Sequence, residues 1–378
     1  MSELLRVEVI GVSLGSTCGV HDHAMLLAGA LSREGVESSS QWLWRSERSL
    51  RGARSQIGGW ARALGPELER SKPDAVLLHY SVFSYSFRGL PLFVRPTLSA
   101  LRRAGVPVIP VMHEFVFPWT LGGPRGKLWA LTQRAALIDV MRAASGVVVT
   151  TDSRAAWLAS RAWLPRRRVV VAPVFSNLPP PTAGPRSERS SAALGLFGYS
   201  EAGAPSLVLD VVRGLLERGV AVRLVLLGGP GRASAAGEAW LAAAASLGVE
   251  GLISFSGVLP AAALSDALAA CDVLLFVDPA GPTSRKGTLA GSLASGRPVV
   301  AIDGPQCWSE LVRAQAVEVV QPSSRALADA VEALLVDDAR REALGERGRA
   351  FAERESGLAR SAEVVSALLG ELVGAGAP

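Results

Sequence analysis

The chain has 378 residues, of which 49% are hydrophobic and 19% are charged. This length predicts two domains of roughly 180 residues each, and the composition excludes a disordered chain. The net charge of +5 favours anionic partners, such as nucleotide phosphates, acidic acceptors or an anionic membrane surface. Nucleic acid is not expected as a partner, because the chain has no zinc-finger spacing and no RNP-like aromatic motif.

The cysteines and the N-terminal sequence predict a cytoplasmic location. Cys18, Cys271 and Cys307 lie far apart and form no CxxC pair, which is typical of a reducing compartment. The N-terminus lacks the basic start and long apolar core of a signal peptide. No apolar stretch reaches the roughly 18 residues that a membrane span needs. Peripheral contact with an anionic membrane stays open because the chain is basic.

The first half alternates between strands and helices. Residues 6–12 (RVEVIGV) are a β-branched run typical of a buried strand, and a loop of small residues and a predicted helix at 23–33 follow. Further strands are predicted at 75–79, 106–112, 146–150 and 169–172, with helices between them. This alternation predicts an α/β domain with a doubly wound parallel sheet, over residues 1–178.

A segment rich in Pro, Ser and Gly begins at 173, and its residues 179–191 are predicted to be the interdomain linker. The strand–helix pattern then restarts and predicts a second domain over 192–356. Its strands are predicted at 193–197, 222–227, 252–255, 273–277 and 298–302. The remaining helices are predicted at 324–335, 338–354 and 357–370.

All four histidines lie in the first half, at His21, His23, His79 and His113. His79 and His113 each end an apolar strand, and ligands of open parallel sheets bind at the carboxyl ends of the strands. The sequence therefore predicts a polar cleft at this edge. His21 and His23 offer two zinc ligands, but no cysteine or fixed carboxylate pattern completes such a site, and no metal is expected.

Two first-half residues are candidates for chemistry. His113 is placed to hydrogen-bond a sugar hydroxyl or to stabilise charge at a reacting carbon, and Asp22 to accept a proton from an acceptor hydroxyl. Capping of the first helix is the alternative role for Asp22. Tyr80 opens an aromatic run at 80–91 that forms either a pocket wall or packing. The candidates for contact with the acceptor are His21, His79, Tyr80 and Glu114.

A basic, hydroxyl-rich run at 281–288 (GPTSRKGT) directly precedes a predicted helix in the second half. A helix N-terminus offers free N–H groups and positive potential, so the run predicts a phosphate cradle, with a solvated charged loop as the alternative. It does not match the P-loop pattern, and the first loop does not match GxGxxG. The cradle candidates are Thr283, Ser284, Arg285, Lys286, Gly287 and Thr288.

Several segments in order along nearly the whole chain resemble the family-4 glycosyltransferases of the GT-B fold. They are 15–33 (GSTCGVHDHAMLLAGALSR), 111–114 (VMHE), 147–155 (VVVTTDSRA), 226–229 (LLGG), 255–257 (FSG) through 270–272 (ACD), and 294–300 (ASGRPVV). The resemblance implies two Rossmann-like domains that face a central cleft. It also implies that a terminal helix at about 357–378 crosses back to the first domain.

This resemblance also implies an activity and a set of contacts. A glycosyl group would move from a nucleoside-diphosphate sugar to an acceptor hydroxyl, with retention of configuration, without a metal and without a further cofactor. The second domain would hold the donor and the first the acceptor, with His113 near the transferred sugar. The other donor contacts implied are Gly15 and Ser16 at the diphosphate, Val258 and Leu259 at the base, and Gly198, Tyr199 and Gly228 in the loops of the second domain.

The sequence departs from the family pattern at two places. Thr283 and Gly291 stand where the family has paired glutamates, and the loop at 198–203 lacks the usual Arg and Lys, whose charge Arg285 and Lys286 are expected to supply. Two alternatives therefore stay open, a catalytically silent GT-B protein that binds a ligand or partner and a nucleotide-sugar epimerase. The acceptor is also open between a secondary metabolite, a polysaccharide precursor and a membrane-linked glycan.

Overall fold

The computed structural model describes residues 4–14, 18–182, 190–199 and 205–374. The chain divides into two compact units, one of residues 1–173 with 358–378 and the other of residues 174–357. The boundary therefore falls after Pro173 and not after residue 178. The reason is local bonding, because the Val174 N–H donates to the Ser284 carbonyl at 2.9 Å and the Ser265 hydroxyl donates to the Pro179 carbonyl at 2.6 Å.

The first unit is built on a six-stranded parallel sheet in the order β2-β1-β3-β4-β5-β6. Its strands are β1 (Leu5–Leu14), β2 (Val36–Arg45), β3 (Ala75–Ser81), β4 (Val108–Glu114), β5 (Gly146–Val149) and β6 (Arg168–Val171). Its helices are α1 (Gly19–Leu31), α2 (Leu50–Ser71), α3 (Val94–Ala104), α4 (Gly123–Ala143), α5 (Asp152–Ala159) and α13 (Leu358–Gly374).

Burial explains which strands of this sheet could be predicted. All seven residues of β3 are buried, since helices cover both faces of a central parallel strand. The edge strand β2 (VESSSQWLWR) is mostly exposed or half-buried and has no continuous apolar run, so it was not predicted. Its Trp42 lies opposite Gly11 of β1, where a Cβ would collide with the indole ring.

The C-terminal helix α13 packs on the first unit. Leu368 and Leu372 lie against Gly146 at the start of β5, and the Ser361 hydroxyl donates to the Pro173 carbonyl at 3.2 Å. An ion pair of 3.3 Å joins Arg168 to Glu371. Apolar packing along one face of α13 is thus the main attachment, since an exposed ion pair contributes little.

The second unit has a six-stranded parallel sheet in the order β12-β11-β10-β7-β8-β9. The strands are β7 (Ala192–Phe197), β8 (Val222–Leu227), β9 (Ile253–Gly257), β10 (Val273–Phe276), β11 (Val299–Ile302) and β12 (Glu318–Val320). The helices are α6 (Pro205–Glu217), α7 (Ala235–Leu247), α8 (Ala261–Ala269), α9 (Gly287–Ala294), α10 (Ser309–Arg313), α11 (Ser324–Val336) and α12 (Asp338–Glu355).

This strand order is that of the Rossmann fold, with β7 as its first strand. From β7 the chain adds strands on one side of the sheet as far as β9, and it then continues on the other side with β10. This change of side creates a switch point at the carboxyl ends of β7 and β10. The fold class predicted from the sequence, two Rossmann-like α/β domains, is confirmed. Among the described residues, no helix is long and apolar enough to cross a membrane.

Candidate active site

Gly198, directly after β7, and the start of α9, which follows the loop after β10, lie together at the switch point of the second unit. Gly198 directly follows β7 and adopts a φ of +76°, in the left-handed region that favours glycine. A Cβ at this position would lie 2.6 Å from the Cγ2 of Thr288, in the first turn of α9. Gly198 and the start of α9 are therefore neighbours, as a shared ligand site requires.

Lys286 stands at the N-cap of α9, and no side chain caps this helix end. Its Nζ lies 3.1 Å from the Oδ2 of Asp278, which follows β10, and both side chains are mostly buried, at 18% and 17% exposure. The uncapped helix start retains its positive potential. The lysine charge, however, is largely balanced by Asp278, a partner that sequence reasoning did not foresee.

Thr283 and Ser284 are buried at 2% and 7% exposure, which corrects the prediction that both hydroxyls line an open cradle. The Thr283 Oγ1 accepts a hydrogen bond from the Arg285 N–H at 3.4 Å, and the Ser284 carbonyl accepts from Val174. Thr283 and Ser284 therefore stabilise the loop through hydrogen bonds to backbone N–H groups. Arg285 is half-buried and Gly287 is exposed, so they, with Lys286 and Thr288, are the part of the run that a ligand can reach.

Tyr199 is also corrected, from a donor contact to a core residue. Its side chain is 1% exposed, packs edge-on against Trp240 and Phe255, and accepts a hydrogen bond from the Gly231 N–H at 2.8 Å. Gly228, after β8, donates its N–H to the Ser256 hydroxyl at 2.9 Å.

Val258 and Leu259 follow β9 at the edge of the sheet. The Val258 side chain is 74% exposed, and Leu259 is half-buried. Gly228 forms an isolated bridge with Gly257, so the loop after β8 and the end of β9 are adjacent. The assignment of Val258 and Leu259 to a nucleotide base stays a prediction.

Gly291, one of the two positions where a departure from the family-4 pattern is expected from the sequence, lies inside α9 against the core. A Cβ there would meet the Cε1 of Phe197 at 3.1 Å and the Cδ1 of Leu178 at 3.3 Å. The space that a longer side chain would need is thus occupied by two apolar side chains.

Three of the four histidines come together in the first unit. The Nδ1 of His79, in β3, lies 3.1 Å from the Nε2 of His113, in β4. The ring of His23, in α1, packs edge-on, with centroids 5.0 Å from His113 and 5.9 Å from His79. We call these three residues the histidine cluster. His21, by contrast, packs on Trp42 and Trp44 of β2.

The sequence predicts that all four histidines share one polar edge, with His21 and His79 as acceptor contacts and His23 named only as a zinc ligand beside His21. The structure brings the His23 ring to His79 and His113, whereas His21 packs on Trp42 and Trp44 of β2. The available signal was helical spacing, since His23 precedes the buried Ala24, Leu27 and Leu31 on the inner face of α1.

Burial lowers the pKa of His23 to about 4. Burial, followed by the charges of the neighbouring imidazoles, also lowers the pKa of His79 and of His113 well below the usual value, and Arg154 adds to the effect at His113. All three rings are therefore neutral at pH 7, and each keeps one nitrogen able to accept a hydrogen bond or bind a metal ion.

Arg154, in α5, holds the end of β4 and was missed from the sequence. Its Nη1 donates to the His113 carbonyl at 2.6 Å, to the Met112 carbonyl at 3.3 Å and to the Thr150 hydroxyl at 2.9 Å. These bonds fix the backbone that carries His113. The arginine lies within the segment 147–155 that resembles the family, but no pattern in the sequence pointed to its target.

Of the other candidates of the first unit, two are exposed and one is buried. Asp22 is 61% exposed and lies 3.5 Å from His21, and the N-cap of α1 is Cys18, so the capping alternative for Asp22 is wrong. Tyr80 is buried, stacked on Tyr85 in the core, and cannot form a pocket wall. Glu114 is exposed at the end of β4, where Ser81 donates to it at 3.4 Å.

Comparison with known proteins supports a glycosyltransferase of the GT-B fold. Residues 192–337, all within the second unit, match the model of the family described as glycosyl transferases group 1. No curated protein matches the sequence significantly.

Solved structures show the fold over the whole chain. Anabaena HepE, in complex with UDP and glucose, is 15% identical, with a TM-score of 0.69 over 96% of this chain and 99% of that one. Sucrose-phosphate synthase from Thermosynechococcus elongatus is also 15% identical, with a TM-score of 0.71 over 98% of this chain and 100% of that one. A UDP-N-acetylglucosamine 2-epimerase is 12% identical, with a TM-score of 0.58 over 98% and 97%.

Proposed function

We propose that this protein transfers a glycosyl group from a nucleoside-diphosphate sugar to an acceptor hydroxyl. The observation that carries the proposal is the second unit, where a Rossmann sheet places an uncapped helix start, Lys286 and Gly198 at one switch point. The group 1 glycosyltransferase model covers this same region. HepE binds UDP, which favours a uridine diphosphate sugar as the donor to be tested first.

The diphosphate is proposed to bind at the start of α9. A phosphate there receives N–H groups from the uncapped first turn, and its charge draws the Lys286 ammonium away from Asp278 over a short distance. This arrangement neutralises a leaving diphosphate without a divalent cation bridging its oxygens. Retention of configuration follows from the resemblance and is proposed with it.

In the first unit, His113 and Asp22 keep their proposed roles. The neutral His113 ring is suited to hydrogen-bonding a sugar hydroxyl, because an uncharged imidazole both donates and accepts. Asp22 is exposed at the first turns of α1 and is proposed to take the proton of the acceptor hydroxyl. The acceptor contacts are proposed to include His21, His79 and Glu114.

Lys286→Met provides the direct test. Loss of one charge-assisted contact to phosphate costs about 1.5–3 kcal/mol, which corresponds to roughly 10- to 150-fold weaker binding of UDP. Lys127→Met, at an exposed lysine of α4, is the matched control. Isothermal titration calorimetry with UDP measures both variants. Equal affinity of Lys286→Met and the unmodified protein would show that the cradle is placed wrongly.

Turnover separates the remaining candidate functions. Incubation with a panel of nucleotide sugars is expected to show slow hydrolysis of one donor, with acceleration by an acceptor. Release of an epimer of the donor sugar with the nucleotide still attached would instead identify the epimerase, a class that shares this fold. Binding without turnover of any donor, with candidate acceptors present, would identify a binding protein.

We also propose peripheral contact with an anionic membrane, through a surface of α4 and the residues before it. Four large apolar side chains are exposed there, namely Trp119, Leu121, Leu128 and Leu131, next to the exposed Arg125 and Lys127. Basic residues beside exposed apolar ones match an anionic lipid interface. This surface suits a cytoplasmic enzyme that takes a membrane-linked acceptor.

Vesicle sedimentation tests the membrane contact. Phosphatidylglycerol-containing vesicles are expected to bind the protein, and the double variant Leu128→Ser, Leu131→Ser is expected to stay in the supernatant. The matched control exchanges Val312 and Val336, two exposed apolar residues of the second unit, for serine. Equal sedimentation of the α4 variant and this control would refute the proposal.

A further inference from the structure

We propose that His23, His79 and His113 form a binding site for a zinc-type transition metal ion. The site lies in the first unit and shares His79 and His113 with the proposed acceptor side, but its test measures zinc occupancy and not glycosyl transfer. It also differs from a cation that bridges phosphates, because nitrogen ligands select zinc and its neighbours and not magnesium.

The geometry of the histidine cluster fits three ligands of a tetrahedral ion. One nitrogen of each residue lies within 4.8 Å of the corresponding nitrogen of the other two. With zinc–nitrogen bonds of about 2.0–2.1 Å, neighbouring ligand atoms stand about 3.3 Å apart. The pair His79 Nδ1 and His113 Nε2 is already at 3.1 Å, and no pair must close by more than about 1.5 Å.

The three residues belong to three different elements, which makes the site preorganised. His79 and His113 lie at the carboxyl ends of adjacent strands, and His23 lies on the inner face of α1. Arg154 fixes the backbone of His113 through its carbonyl. Because two strands and a packed helix already hold the three ligands in place, the side chains lose little conformational entropy when an ion binds.

Hydrogen bonding within the cluster is incomplete. His79 is fully buried, and its Nε2 has no hydrogen-bond partner among the described residues, while its Nδ1 faces only another imidazole. A pair of neutral imidazoles satisfies just one donor and one acceptor. An ion at the shared position would bind the facing nitrogens, His79 Nδ1 and His113 Nε2, which now contact only each other. The buried His79 Nε2 is a separate unpaired group, of a kind that is rare in native proteins.

The electrostatic surroundings allow a cation but limit its affinity. Burial keeps the three rings neutral at pH 7, which is the form that binds metal ions. Arg154 is the nearby cation and opposes a second positive charge, but its guanidinium is held by backbone carbonyls of β4. Three protein ligands leave a fourth position open for water or a ligand oxygen, as in catalytic zinc sites.

Metal analysis and titration test this inference. The full chain is treated with EDTA, dialysed and titrated with Zn²⁺ by calorimetry, and Co²⁺ is added in a parallel sample for its visible spectrum. We expect about one zinc ion per chain and the intense visible bands of tetrahedral cobalt. A folded protein that binds no zinc, or a cobalt spectrum of the octahedral aqua ion only, would overturn the proposal.

Variants assign the site to the cluster. His113→Gln and His23→Gln are each expected to weaken zinc binding at least tenfold, and His21→Gln, at the one histidine outside the cluster, to leave it unchanged. Circular dichroism confirms folding of each variant in EDTA. Unchanged zinc binding in the double variant His23→Gln, His113→Gln would place the ion elsewhere and refute the assignment. Because the readout is zinc occupancy, its failure leaves the UDP titrations of Lys286→Met unaffected.

Discussion

Acidification of the metal-free protein in EDTA is expected to destabilise the first unit through the histidine cluster. The pKa of His23 is about 4 in the folded chain, against about 6.5 in the unfolded chain. This difference of about 2.5 pH units, at 1.36 kcal/mol per unit, corresponds to about 3 kcal/mol of unfolding free energy from His23 alone. The pKa values of His79 and His113 are lowered too, so their contributions have the same sign.

The sign follows from the protons bound by each state. Above pH 6.5 the His23 ring is neutral in both states and its full stability contribution is present. As the pH falls from 6.5 towards 4, the unfolded chain takes up a proton that the folded chain refuses, so stability falls by up to about 1.4 kcal/mol per pH unit for this residue. Below about pH 4 both states are protonated and the loss levels off.

Urea unfolding between pH 7.5 and pH 4 measures this slope, and His23→Gln isolates it from the carboxylates that also titrate in acid. The variant is expected to lose less stability on acidification than the unmodified protein, by about 3 kcal/mol across the window. His21→Gln is the control. Since the chain has only four histidines, their imidazole proton resonances also report the titrations directly. Equal slopes, or a His23 resonance that titrates near 6.5, would refute the reasoning.

Three further predictions concern stability and the site. Gly198→Ala is expected to destabilise the second unit by about 2–4 kcal/mol, because alanine is strained in the left-handed region and its Cβ clashes with Thr288. Gly219→Ala, at a φ of +81° with open space around it, is expected to lose only about 1–2 kcal/mol of stability, from the backbone strain alone. Urea unfolding compares the two variants. Arg154→Ala is expected to shift the His113 imidazole resonance and cost about 2 kcal/mol, since three hydrogen bonds are lost; an unmoved resonance would contradict its positioning role. Leu215→Ala is expected to cost about 2–5 kcal/mol in thermal unfolding, because the side chain is fully buried, and a smaller loss would show that the core of the second unit closes around the cavity.

Local patterns were sufficient for most of the fold. Largely apolar strands such as 75–79 and 273–277, separated by helices, predict a doubly wound parallel sheet because helices cover both faces of its strands. The edge strands β2 and β12 escaped prediction, since an edge strand has fewer buried positions. The loop at 281–288 was also recognisable, because a basic run that precedes a helix is a property of neighbouring residues.

The candidate sites depended on contacts between distant parts of the chain. Tyr80 and Tyr199 have the sequence context of site residues but point into the core, and strand direction alone does not reveal which face a side chain takes. Lys286 pairs with Asp278 within the single loop between β10 and α9, but Asp278 lies outside the run 281–288, so the charge available to a phosphate could not be predicted from the run itself.

The sequence by itself determined that the histidines would gather at one edge of the first sheet, because strands of a parallel sheet end at the same side. Only the tertiary structure decided which of them meet. On α1, the His23 side chain packs against His113, whereas the His21 side chain packs on Trp42. The distance of 3.1 Å between His79 Nδ1 and His113 Nε2 depends on the register of β3 and β4. Side-chain direction and register arise from packing across the whole unit, and no local pattern contains them.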